Sequence, residues 1–262
     1  MSRFCSLFSS SKGNCTYLGC SDAGLLVDAG ASAKAILCAL EQNTIDKEEI
    51  KAILITHSHT DHVNSLKRLG TLLNIPLVMS RDTAKTLADT DKLPKGAQIF
   101  DADAPEITVA GMKIISFHTS HDCAGSRGYT VQMPDGIKIA VCTDLGFVND
   151  EVRNAISGCQ LVMLESNHDI TMLQKGPYTP ELKNRILSDC GHLSNIACAA
   201  ELPALIKSGT TRIVLAHISQ DNNLPTVVRS CAIASLMENG YIENRDFILY
   251  VAPQKGGKML TL

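Results

Sequence analysis

Short apolar runs and period-2 alternations recur along the chain. They predict strands at 3–8, 15–19, 25–28, 52–56, 77–79, 107–109, 113–117, 129–133, 138–142, 161–165, 212–216 and 247–251. Apolar residues at helical spacing predict helices at 32–42, 62–73, 81–89, 150–157, 180–189, 194–208 and 224–239. Strands open the chain, and helices then alternate with strands. That order suits sheets covered by helices, a layered α/β architecture. Ala110-Gly111 and Pro134-Asp135-Gly136 each separate two alternating runs and predict tight turns. No repeat, low-complexity tract or long linker interrupts the pattern, so one domain over residues 1–262 is expected.

Composition narrows the function classes. Hydrophobic residues make up 45% and charged residues 19%, which fits a folded core. The net charge of −3 excludes nucleic-acid binding by overall charge, though not by a local basic patch. No apolar run reaches the roughly 18 residues of a membrane helix. The N-terminal stretch lacks a signal peptide's apolar segment, so a cytoplasmic protein with no membrane partner is expected. The ten cysteines are scattered without a C-x-x-C pair and read as reduced core residues. With no Trp and 4% aromatics, base-stacking platforms are few. Nothing in the sequence speaks to oligomeric state.

The chemistry concentrates at residues 56–62, Thr-His-Ser-His-Thr-Asp-His. An apolar strand runs into three of the chain's eight histidines and one aspartate, just before a helix. Polar side chains at a strand end ahead of a helix occupy a usual site position. Imidazole and carboxylate together suit Zn, Mn or Fe. His57 and His59 alternate on an extended segment, while Asp61 and His62 project from the turn. One segment can thus serve two neighbouring ions. Further ligands must come from distant strand ends, where Asp28, His118, His121, Asp144, His168, His192 and His217 are the candidates.

These residues resemble the metallo-β-lactamase superfamily through the H-x-H-x-D-H pattern at 57–62. Asp28 before the motif, and His121, Asp144 and His217 after it, fall in the order the superfamily uses. Finer features are similar to its YycJ-like (WalJ) branch: S-S-S-K-G-N-C near the start, S-H-D at 120–122, T-D-L-G at 143–146, E-S-N-H-D at 165–169, G-H-L-S-N at 191–195 and A-H-I-S-Q-D-N-N at 216–223. The resemblance implies a four-layer αββα sandwich with two divalent metal ions. It assigns His57, His59 and His121 to the first ion, Asp61, His62 and His217 to the second, and Asp144 to both. Asp28 would brace the histidine loop, and His168 would lie near the site. Asp144 stands where antibiotic-hydrolysing relatives usually carry Cys. The H-x-H motif differs from the H-x-E of the flavodiiron redox branch. Both point to hydrolysis by a metal-bridging hydroxide.

The flanking residues point to a phosphodiester. Ser194 is expected to cap a helix whose first turn, with Asn195, offers N–H donors to phosphate. Ser11 and Asn14 belong to a second polar loop, His192 is placed to protonate a leaving oxygen, and Asp61 to steer the proton of water. The expected enzyme is therefore a metal-dependent phosphodiesterase or nuclease with nucleic acid or another phosphodiester as substrate. The alternatives are a thioester or lactone hydrolase resembling glyoxalase II and a metal-binding protein without turnover. The metal identity, and DNA against RNA, stay open at this level.

Overall fold

Chain order places nine strand residues first. Strand β1 (Ser2–Ser10) pairs antiparallel with β2 (Gly13–Cys20), which pairs antiparallel with β3 (Ala23–Val27). From β3 onward the ladder turns parallel through β4 (Ile50–Leu54), β5 (Leu77–Met79) and β6 (Ile99–Asp101). The last strand, β14 (Leu260–Thr261), closes the other edge against β1. This computed structural model describes residues 1–262.

The chain forms two mixed sheets and divides into two compact units. One comprises residues 1–116, 123–137 and 253–262; the other comprises 117–122 and 138–252. In the first unit, helices α1 (Ala33–Gln42), α2 (Thr60–Val63), α3 (Leu66–Leu73) and α4 (Arg81–Asp89) accompany the seven-stranded sheet. Ile36 and Leu40 of α1 and Leu66 and Leu69 of α3 share a buried cluster with Leu26, Ile53 and Leu77 of the strands. The unit also holds β7 (Ile107–Val109) and all but the last two residues of β8 (Met112–His118), a hairpin paired Val109↔Met112. Its turn residues Ala110 and Gly111 both have positive φ, as a two-residue turn with the matching twist requires. Strand β9 (Arg127–Gln132) leads into the second turn, where Met133 N–H donates to Ile137 O at 2.8 Å.

In the second unit β10 (Lys138–Cys142), β11 (Leu161–Glu165), β12 (Arg212–Ala216) and β13 (Ile248–Val251) run parallel in that order. Helices α5 (Asp150–Ile156), α6 (Ile170–Lys175), α7 (Pro180–Leu187), α8 (Asn195–Lys207) and α9 (Pro225–Glu238) connect them. Val152, Leu202, Leu205, Val228 and Leu236 pack against Val162, Leu164, Ile213 and Leu215. Strands β11 and β12 are buried almost throughout, which is why they read as continuous apolar runs rather than alternations.

Two differences from the sequence expectation have local causes. The helix expected over 62–73 is two helices, α2 and α3, interrupted at Asn64 and Ser65. Ser65 holds back the chain there: its N–H and its hydroxyl both donate to Ala29 O, at 2.9 and 3.0 Å. Strands β6 and β14 went unread because each is a short edge strand of two or three residues.

Candidate metal centre

In a parallel sheet the C-terminal strand ends present side chains to one edge, and ligands gather there. In the first unit that edge carries Asp28 after β3 and residues 56–62 after β4. Asp28 has φ +64°, a left-handed conformation that a short polar residue tolerates. Its carboxylate accepts from the Thr56 N–H at 2.9 Å and from the Thr56 hydroxyl. His62 Nδ1 lies 2.7 Å from Asp28 Oδ2. Because a buried carboxylate only accepts, His62 carries its proton on Nδ1 and leaves Nε2 basic. Asn14 agrees with that tautomer, since its Nδ2 donates toward His62 Nε2 at 3.0 Å and toward Asp61 Oδ2 at 3.3 Å. Burial raises the Asp28 carboxyl pKa above the ordinary carboxylate value, and the His62 and Thr56 contacts offset only part of the rise.

His57 and His59 complete this cluster. Their rings meet edge-on with centroids 4.7 Å apart, and His57 Nε2 lies 3.1 Å from His59 Nδ1. The His57 and His62 rings are 4.1 Å apart. Three imidazoles and the Asp61 carboxylate thus share a small, largely buried volume. Gly30 makes the loop possible: a Cβ there would come within 1.6 Å of Asp61 O and 2.6 Å of Asn14 N.

The second unit repeats the design. Asp144 follows β10 and His217 follows β12, and both have positive φ, +62° and +54°. With Asp28, this puts a strained backbone at three strand ends that carry candidate site residues. Glu165, the last residue of β11, lies fully buried between them. Its Oε1 accepts from His217 Nδ1 at 2.7 Å and His192 Nδ1 at 2.9 Å. Its Oε2 accepts from the N–H groups of Leu145 and Leu193 at 3.0 and 3.2 Å. Burial alone would raise the Glu165 pKa, but the two imidazoles and their hydrogen bonds hold it well below the ordinary carboxylate range. For His192, burial pulls downward, and the Glu165 and Asp144 carboxylates outweigh it, leaving a raised pKa. His121 is oriented by a third acceptor, Gly191 O, 3.1 Å from its Nδ1. His217 and His121 therefore also keep Nε2 as the basic nitrogen.

Asp144, Glu165, His192 and His217 each offer a ligand atom, all within 4.8 Å of one another. Nitrogen and oxygen donors of this kind, with imidazoles oriented by carboxylates, suit a divalent metal. Glu165 is a residue that the sequence reading did not single out. Its signal was present: an acid ending a buried apolar strand, inside the E-S-N-H-D segment.

The other expected residues fall as follows. His118 is exposed and lies 3.0 Å from Glu151. Ser194 caps α8 by accepting from Ala197 N–H at 3.2 Å. Ser11 is exposed in the turn between β1 and β2. The Asn195 side chain is buried, accepts from Ser166 and Asn223 and donates to Asn223. Asn14 points at the histidine loop. The Asn195 network has its own consequence. Asn223 Nδ2 donates to Ser166 O and Asn167 O, and Asn167 Nδ2 donates to His217 O at 2.9 Å. Four buried side chains thereby hold the backbone that presents His217. His168 is 1% exposed with no hydrogen bond to either ring nitrogen, and burial takes its pKa down to about 4.

The two half-sites and the sheets that carry them define a metal-dependent hydrolase of the β-lactamase superfamily, and the chain belongs to that family: the beta-lactamase superfamily domain matches residues 24–218. It is 34% identical over 239 residues to exodeoxyribonuclease YycJ of Bacillus anthracis, covering 91% of this chain and 90% of the relative. Zn²⁺-bound PqqB from Methylobacterium extorquens shares the fold with a TM-score of 0.75 at 16% identity, over 100% of both chains. The metallo-beta-lactamase fold protein YhfI from Bacillus subtilis does so with a TM-score of 0.72 at 14% identity, over 99% of this chain and 98% of that one. The metallo-β-lactamase fold expected from the sequence is thus borne out. No helix is long and apolar enough to cross a membrane.

Proposed function

We propose that this protein is an exonuclease that hydrolyses phosphodiester bonds of DNA with two divalent metal ions. The observation that carries the reading is the repeated carboxylate brace, Asp28 on His62 and Glu165 on His217 and His192. The braces on His62 and His217 fix the tautomer and leave a basic Nε2, the form that ligates metal. The exodeoxyribonuclease named above, similar along nine-tenths of both chains, supports DNA as the substrate. We assign His57, His59 and His121 to one ion, Asp61, His62 and His217 to the other, and Asp144 to both. Such ions, when bound, lower the pKa of water to about 7 and stabilise charge on phosphoryl oxygens.

The chain's own groups divide the remaining work. Asp61 takes a proton from the attacking water. His192, with Nδ1 held by Glu165, donates a proton from Nε2 to the leaving oxygen. Ser11 offers an exposed hydroxyl to a phosphate. Asp28, Asn14, Glu165, Asn167, Asn195 and Asn223 keep the acting residues in place, and His168 packs behind them. Zn, Mn and Fe all accept this donor set. We place the protein in the cytoplasm, in keeping with ten cysteines that form no disulfide.

The test is degradation of end-labelled DNA by chelator-treated protein resupplied with Mn²⁺ or Zn²⁺. Wild type should shorten the strand from an end, and Asp61→Ala should lose at least about a hundredfold in rate. Equal cleavage by both would refute the assignment. Hydrolysis of a glutathione thioester without DNA cleavage would make the protein a thioester hydrolase instead.

A further inference from the structure

A groove of about 990 Å³ lies between α1 and α3 in the first unit, with Lys34, Leu37, Lys67, Arg68 and Leu72 among its walls. Lys34 and Arg68 are exposed and form no ion pair, while Lys67 reaches only the exposed Asp91, at 2.8 Å. All three cations sit in the first turn of their helices, and neither turn contains an acidic residue. A helix start is already positive, and a cation there is unfavourable. Among the other helices, α2, α4, α5 and α7 carry acids in their first turns, while α6, α8 and α9 carry none. In a protein of net charge −3, three cations thus gather at two helix starts that hold no acid.

The position of the groove indicates what it binds. Helix α1 begins five residues after Asp28. Asn64, which also lines the groove, is two residues beyond His62. The cationic end therefore adjoins the histidine loop. The one acid of the lining, Glu41, lies at the far end of α1, about 10 Å along the helix from Lys34. Leu37 and the half-exposed Leu72 supply apolar surface, and no aromatic residue lines the groove.

Resting on the DNA reading above, we propose that this groove binds the sugar–phosphate backbone of the substrate strand next to the bond being cut. Lys34, Lys67 and Arg68 contact phosphates, and the leucines lie under the sugars. Contacts of this type carry no base information, so binding is independent of sequence.

The test compares Asp61→Ala protein with the same protein carrying Lys34→Gln and Arg68→Gln. Binding of a fluorescent single-stranded oligonucleotide is followed by anisotropy across a salt series. Removal of two phosphate contacts should make the slope of log affinity against log salt shallower by about 1.4 and weaken binding about ten- to thirtyfold at 0.1 M salt. In the active background, the same pair of substitutions should reduce DNA hydrolysis at least tenfold more than hydrolysis of bis(p-nitrophenyl) phosphate, which is too short to enter the groove. An unchanged slope and affinity would overturn the proposal and leave the groove to an acidic protein partner. Failure of the parent enzyme to cleave DNA at all would instead defeat the nuclease reading, a result distinct from an unaltered slope in an active nuclease.

Discussion

His217 Nδ1 lies 2.7 Å from Oε1 of Glu165, a carboxylate with no solvent exposure. The first unit holds the same relationship at the same distance between His62 and Asp28. The two carboxylates differ in load. Asp28 meets one imidazole and has a raised pKa, whereas Glu165 meets two and is held low. Both stand at the end of a parallel strand, where the backbone fixes the carboxylate before any ligand arrives.

Glu165→Gln keeps shape and burial but replaces one acceptor oxygen by an NH₂ that cannot receive the imidazole N–H groups. We expect metal affinity to fall about 10- to 100-fold, the usual effect of removing such a brace. Competition with a chromogenic chelator measures it. Wild-type affinity in the variant would show that Glu165 serves packing alone.

Asp28 separates conformation from chemistry. Asn adopts a φ of +64° at lower cost than Ala. Asp28→Asn should therefore lose metal affinity while keeping most of the fold's stability. Asp28→Ala should lose about 1–3 kcal/mol of stability in addition, from backbone strain and the unpaired Thr56 and His62 donors. Urea unfolding of the two metal-free variants decides it, and equal stability would contradict the strain.

His168 makes stability depend on pH. Its folded pKa of about 4 lies below the ordinary value of 6.5, so the unfolded chain binds the extra proton between those limits. Stability should fall as pH drops through that window, by up to about 3 kcal/mol. His168→Asn should flatten this part of the profile relative to wild type. Parallel profiles for the two proteins would refute a neutral buried imidazole.

The apolar strands were legible because burial on both faces leaves an unbroken run, as in Leu161–Glu165 and Arg212–Ala216. The histidine loop was legible because its residues are contiguous. Glu165 was not, because an acid at a strand end looks the same whether it faces water or two histidines. The direction of the Asn195 side chain was not legible for a related reason: a residue next to a helix cap can turn outward to an anion or inward, and only the positions of Ser166 and Asn223 decide. The break between α2 and α3 depends on Ala29 O, a carbonyl 36 residues from Ser65 that no local pattern announces.

The most direct test is the metal content of protein reconstituted with Mn²⁺ or Zn²⁺ and freed of excess ion, measured by mass spectrometry for wild type and Asp144→Ala. Wild type should retain two ions per chain and the variant one or none. Wild type that retains no metal, or a variant that still holds two, would contradict the paired-ion site.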